Sequence, residues 1–307
     1  MQDKVGNLFQ QSIDEILGST LSQDVRASIG RGSYEYCNGV VCSTISMDHL
    51  IGMESLSEQH QDAVAHPDNW ALPQEIYLSG DATCNLTCPS CRTHIFKITE
   101  DQVEEQLRLG QTLKDNLFIN SSDQPIALHV STVGEVFASP LLLKFLSSIE
   151  PEKFPNLKLW LQSNGLLAPR FWHKLGDMAH RVDNITVTVD AAHSDTYERL
   201  RRGGKWLDIL ESLEWIKNKK IENGMSLHLR MVVQRDNIDQ LLEFYELRQY
   251  YLADQIEYVR ITNWGTYSKE EFKDIDIVNS DHPDQDYAMA KLQQIKYLPN
   301  VWLAGGL

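Results

Sequence analysis

Residues 84–91 read Cys84-Asn85-Leu86-Thr87-Cys88-Pro89-Ser90-Cys91, three thiols spaced CxxxCxxC directly after the strand-like run 75–80. No other feature restricts the fold as much, because a strand must deliver this loop to a place where three sulfurs can act together. Three thiolates can hold three irons of a cubane cluster, and the missing ligand leaves one iron open to a small molecule. Structural zinc usually closes its shell with four protein ligands. Disulfide pairing would leave an odd cysteine in a chain that otherwise looks intracellular.

The five cysteines lie at 37, 42, 84, 88 and 91, all in the first third of the chain, so none is spread through the body for structural bridges. Residues 1–6 lack the basic and apolar regions of a signal peptide, and no apolar run approaches a membrane span. The expectation is a soluble cytoplasmic protein without a membrane partner. With 43 acidic against 28 basic residues the net charge is -15, which disfavours a phosphate-tracking groove and hence a nucleic-acid partner. A chain of 307 residues can form one main α/β domain.

After residue 74 short β-rich runs alternate with amphipathic segments, the pattern of βα units around a parallel sheet. Strands are predicted at 75–80, 127–132, 158–164, 184–190, 226–233 and 255–262. Helices are predicted at 99–116, 139–149, 169–179, 206–221, 237–251 and 285–297. Loops at the carboxyl ends of parallel strands collect ligands. The polar residues there are Cys84, Gly134-Glu135, Ser163-Asn164-Gly165, Asp190, Gln234 and Thr262-Asn263-Trp264. Residues 1–74, with helix-like stretches around 13–21 and a Gly-rich segment at 30–42, form an N-terminal extension; 75–264 form the core and 265–307 a C-terminal helical segment.

With these motifs in order, the chain resembles the radical S-adenosylmethionine (SAM) superfamily over residues 72–264. The resemblance implies a partial (β/α)6 TIM-type barrel and a [4Fe-4S] cluster on Cys84, Cys88 and Cys91. It further implies SAM bound through its amino and carboxylate groups at the fourth iron, and a 5′-deoxyadenosyl radical that abstracts hydrogen from substrate. The family's Gly-Gly-Glu segment looks like Thr132-Val133-Gly134-Glu135, with one glycine replaced, and implies that Gly134 and Glu135 meet the SAM amino group; a glutamate after a strand can also cap the next helix. Ser163 and Asn164 can face the ribose, although Asn-Gly is also an ordinary turn. The stretch from Asp190 through 196–204 resembles members with peptide substrates and implies Asp190 near SAM. It also implies Arg201 on the SAM carboxylate, with Arg202 as its rival; both arginines could instead neutralise a helix end. Ser90 stands where the family often has an aromatic residue, leaving Phe96 as a candidate to pack on adenine.

Cys37 and Cys42, in 32–42, look like a fragment of the SPASM or twitch modules that hold auxiliary clusters. A second iron-sulfur cluster there would need His49, His60, His66, a carboxylate or substrate as further ligands; the alternative is a reduced, buried pair. His129 and His228 alternate with apolar neighbours inside strands and are read as satisfied interior histidines. Trp264, after the sixth strand, is the tryptophan placed for substrate contact. No catalytic side chain is assigned.

The function implied by the resemblance is radical modification of a ribosomally made peptide, by crosslinking or by backbone excision. Epimerisation is disfavoured because no cysteine follows Cys91 to return hydrogen, unless Cys37 or Cys42 does so. A separate leader-peptide-binding protein and an electron donor such as flavodoxin or ferredoxin are the expected partners. The alternatives are a radical SAM enzyme acting on a small metabolite and a non-catalytic iron-sulfur scaffold.

Overall fold

The computed structural model describes residues 4–37, 45, 50, 52–56, 58–66, 68, 73–79, 81–96, 98–118, 125–130 and 133–307. Seven parallel strands form one sheet in sequential order: β1 Glu75–Leu78, β2 Ile126–Val130, β3 Leu157–Ser163, β4 Val182–Thr188, β5 Ser226–Val233, β6 Gln255–Arg260 and β7 Val301–Ala304. Among the described residues no pairing joins β7 to β1, so the sheet is a partial barrel with two free edges. The six expected strands are present, and β7 is an addition to them. It is only four residues long and follows Asn300, whose φ of 61° sets the turn into it.

Alternation explains how the sheet is covered. In β5, Leu227, Leu229, Met231 and Val233 are buried in the main core, while His228, Arg230 and Val232 face the other way. The same alternation in β2 and β3 sends Leu128, Val130, Leu159 and Leu161 into that core beneath the helices. The opposite face carries Tyr77, His129 and Trp160 side by side across three strands. Tyr77 stacks on His129 at 4.2 Å, and His129 meets Trp160 at 4.9 Å. His228 and Arg230 on that face share the buried Glu257, at 3.0 Å from His228 Nδ1 and 2.7 Å from Arg230 Nε.

The helices follow the expected segments, with local corrections. The segment 169–179 is not one helix: Ala168–Phe171 passes into 3-10 turns over Trp172–Arg181, broken at Gly176, whose φ of 60° leaves the helical region. The segment 237–251 begins with a 3-10 stretch, Arg235–Gln240, at whose start Asn237 Oδ1 accepts from Gln234 N–H. The helix Trp206–Asn223 stops at Gly224, which adopts φ 69° as a left-handed cap. Ser194–Leu200 and Lys269–Ile275 are helices that periodicity did not reveal. Near the N-terminus Ile13–Leu17 and Thr20–Gly30 are separate, each started by a serine cap, Ser12 or Ser19. Ile13 joins the main core, and the Arg108 guanidinium lies 4.5 Å from the Phe9 ring, so this part of the chain docks on helix Glu100–Leu113. No described helix is long and apolar enough to cross a membrane.

Leu161 is 1% exposed at the centre of this core, whereas Leu207 is 70% exposed. Leu161→Ala is expected to lower unfolding free energy by about 2–5 kcal/mol, and Leu207→Ala by less than about 0.5 kcal/mol, as read by chemical denaturation.

Candidate functional site

The cysteine loop follows β1 and is tied to its neighbours by backbone bonds. Glu135 N–H donates to Thr83 O at 2.8 Å, and Thr87 N–H donates to Arg202 O at 3.0 Å. Buried Asp81 accepts from Thr83 N–H at 2.8 Å and from the Ser139 hydroxyl. Arg92, directly after the third cysteine and 5% exposed, donates to Ala82 O at 2.6 Å and to Val133 O; it also reaches Cys91 Sγ at 3.6 Å. Gly134 lies so close to this loop that a Cβ would sit 2.3 Å from Thr83 O and 2.5 Å from Asp81 O. Val133 instead points to solvent, 58% exposed, so the position where the family pattern has its other glycine makes no such steric demand.

Glu135 is buried between β2 and β3. Its carboxylate accepts from Ser163 Oγ at 2.7 Å, Asn164 N–H at 2.6 Å and Phe137 N–H at 3.1 Å. Burial pushes its carboxyl up from the ordinary range, and those three donors oppose the shift by favouring the anion. The Phe137 contact also makes Glu135 the cap of the short turn Val136–Ala138. Asn164 Nδ2 then donates to Asn85 Oδ1 at 2.9 Å and reaches Cys84 Sγ at 3.8 Å, linking the glutamate to the cysteine loop. Ser163 and Asn164 therefore turn their donors on Glu135 and Asn85.

A second chain of contacts reaches Cys88. Asp190 has φ 66°, a left-handed conformation that aspartate tolerates better than most residues, and its Oδ1 accepts from Val232 N–H at 2.7 Å. Its other oxygen lies 2.9 Å from Arg201 Nη2, and Arg201 Nη1 lies 3.8 Å from Cys88 Sγ. Burial alone would lower the Arg201 pKa, but Asp190 and the Cys88 sulfur outweigh it and keep the guanidinium charged. Burial pushes the Cys84 and Cys88 thiols up; Arg92 opposes this at Cys84 and Arg201 at Cys88. Arg201 Nε and the Tyr197 hydroxyl are buried without a hydrogen-bond partner.

The structure thus joins Gly134, Glu135, Ser163, Asn164, Asp190 and Arg201 to the loop of Cys84, Cys88 and Cys91. Among the described residues no three Cys, His, Asp or Glu side chains converge as a metal cage. The fit of a cluster rests on the sulfur donor set, on the two guanidinium groups directed at sulfurs and on the unpartnered Arg201 Nε. Arg202 is exposed, and its carbonyl accepts from Thr87 N–H. Phe96 is 44% exposed and packs on His94 at 4.4 Å, and Trp264 is 73% exposed. Cys37 is a half-buried free thiol whose N–H donates to Tyr34 O. Cys42 and His49 lie outside the described residues, as does the side chain of His60; His66 pairs with Asp62 at 2.9 Å. His228 is satisfied by Glu257, whereas His129 Nε2 is buried without a hydrogen bond. Arg92, Tyr197 and Asn85 were not singled out from sequence, although Arg92 adjoins the third cysteine and Tyr197 lies one helical turn before Arg201.

The profile of the Radical SAM superfamily matches residues 82–248. A GTP 3′,8-cyclase of Alkaliphilus metalliredigens (strain QYMF) is 25% identical over 140 residues, 43% of this chain and 39% of the cyclase. Among solved structures, Streptococcus suis SuiB bound to precursor peptide SuiA aligns with 99% of this chain and 66% of SuiB, at 12% identity and a TM-score of 0.48. A radical SAM methyltransferase from Sphaerobacter thermophilus aligns with 95% of this chain and 94% of that one, again at 12% identity and a TM-score of 0.48. The chain spans well under half of the cyclase's length and just under two thirds of SuiB's.

Two outcomes follow from this geometry. Gly134→Ala forces a methyl group against backbone and is expected to destabilise the chain by about 1–3 kcal/mol, measured as a fall in denaturation midpoint. His228 and Arg230 hold Glu257 below its ordinary value of 4.5 against the opposing effect of burial. A depressed carboxyl contributes stability that is present above pH 4.5 and lost as pH falls through its folded pKa. Glu257→Gln should therefore cost about 3–5 kcal/mol at neutral pH, and its deficit should shrink below pH 4.5 in denaturation curves taken across pH.

Proposed function

The chain belongs to the radical SAM superfamily, and on that premise we propose that this enzyme holds a [4Fe-4S] cluster on Cys84, Cys88 and Cys91 and uses SAM to modify a ribosomally made peptide. The chemistry that such a cluster supplies with SAM is one-electron cleavage of a sulfonium carbon-sulfur bond, giving a 5′-deoxyadenosyl radical. The observation that carries the SAM assignment is Arg201: its side chain only 13% exposed, paired with Asp190, beside Cys88, and with a buried Nε unpartnered. A carboxylate is the group that a guanidinium edge of this kind takes.

The protein's own residues then divide the work. Asp190 keeps Arg201 oriented and charged. Glu135, with three donors already on its carboxylate, retains acceptor capacity for an ammonium group. Ser163 and Asn164 orient Glu135, and Gly134 lets it approach the cysteine loop. Burial of both carboxylates excludes water from their hydrogen bonds.

A peptide substrate is supported by the open sheet. Among the described residues its edges, β1 and β7, do not pair with each other, and the face away from the helices exposes Tyr77 and Trp160, apolar surface of the kind an extended chain can lie against. Crosslinking or excision is favoured over epimerisation, since no cysteine follows Cys91. A leader-binding protein and a flavodoxin or ferredoxin would complete the system, and Cys37 with Cys42 would offer part of a second cluster site. A small-metabolite substrate is the second reading, favoured by the similarity to GTP 3′,8-cyclase.

Anaerobically reconstituted enzyme with SAM and reductant is expected to release 5′-deoxyadenosine, and a Cys84/Cys88/Cys91→Ala variant to fall to background. Arg201→Lys should raise the KM for SAM about tenfold or more, through loss of a charge-assisted hydrogen bond. Precursor peptides should raise the yield of 5′-deoxyadenosine; stimulation by nucleotides alone would favour the metabolite reading.

A further inference from the structure

Arg92 is a buried cation with no carboxylate of its own. Its guanidinium is committed to Ala82 O, Val133 O and Cys91 Sγ, and its Cζ lies 5.9 Å from the centre of the Phe96 ring. Among the described residues it forms no ion pair, in contrast to Arg201, which has Asp190. Nearby Asp81 spends its carboxylate on Thr83 N–H and the Ser139 hydroxyl. Two carbonyls can be satisfied by a neutral donor, and burying a full charge to do so is costly unless an anion shares the site. Besides Asp81, the groups on this loop that become anionic are the cysteines themselves, when they ligate metal as thiolates.

We propose that Arg92 is a positioning residue for the iron-sulfur cluster, rooted in the assignment of Cys84, Cys88 and Cys91 as its ligands. Its fork fastens the 91–92 end of the loop to Ala82 and to Val133 on the next loop, which carries Gly134 and Glu135. Its charge, directed at Cys91 Sγ, offsets the negative charge of a cluster held by three thiolates. That charge grows by one when the cluster takes an electron, so Arg92 stabilises the reduced state more than the oxidised one and raises the reduction potential. Lysine keeps the charge but loses the planar fork; glutamine keeps a donor but loses the charge.

The test uses the full chain reconstituted anaerobically with iron and sulfide, as wild type, Arg92→Lys and Arg92→Gln. Iron content, release of iron to a chelator, the electron paramagnetic resonance spectrum of the reduced cluster and its midpoint potential in a dithionite titration without SAM are measured. Arg92→Gln is expected to shift the midpoint to more negative potential. Arg92→Lys should stay near wild type in potential while releasing iron faster, because only the tether is lost. The role of Arg92 is overturned if Arg92→Gln keeps the wild-type potential, or if both variants shift alike. Should Arg92→Gln fail to hold a cluster, Arg92→Lys decides: a wild-type potential supports the proposal, and a clear negative shift overturns it. Wild type that binds no cluster overturns the ligand assignment, and the role of Arg92 with it. Wild type with a normal cluster beside an unaltered Arg92→Gln overturns Arg92 alone.

Discussion

The cysteine loop forms neither helix nor strand, so its backbone groups must find partners elsewhere. It finds them on two sides. Glu135 N–H and the Arg92 fork bind it to the loop after β2, and Thr87 N–H binds it to Arg202 O in the turn after helix Ser194–Leu200. The rest of the site depends on these ties. Gly134 is needed because the first tie brings two backbones within carbonyl contact. Gly203, at φ 97°, forms the turn that carries Arg202 against residues 85–87.

Electrostatics at the site run against those of the whole molecule. The chain carries net charge -15, yet the charged side chains aimed at sulfur are two guanidinium ions. Burial raises the thiols, and metal binding requires them as thiolates, so nearby fixed positive charge lowers the cost of loading. Glu135 and Asp190, two of the buried carboxylates here, are surrounded by donors. What stays unsatisfied is on the donor side: Arg201 Nε and the Tyr197 hydroxyl.

Much of the fold was legible because apolar residues alternate cleanly along strands such as β5, and because long amphipathic helices such as Trp206–Asn223 fall within two residues of their predicted bounds. Short elements were not. Four residues of β7 carry too little periodicity, and the break at Gly176 is a backbone conformation that spacing alone does not reveal. At the site, position at a strand's end led to Glu135, Ser163, Asn164 and Asp190, but not to their partners. That Ser163 and Asn164 bond to Glu135 is a contact between residues 28 and 29 positions apart. Arg92 was overlooked for the same reason: its meaning lies in Val133, 41 residues away.

Sequential strand order also has a temporal meaning. The cysteine loop, Glu135, Asn164 and Arg201 all belong to the first four βα units, so most of the site has emerged once those units have been synthesised. Asp190 is different. Its carboxylate is held by Val232 N–H in β5, and its carbonyl accepts from Asn237 Nδ2 just beyond that strand. Until the fifth strand docks, Asp190 has no reason to adopt its left-handed backbone, and Arg201 lacks an oriented counter-ion. A growing chain would therefore expose its thiols well before it could organise them, so the fifth strand marks the earliest stage at which metal loading meets a finished site.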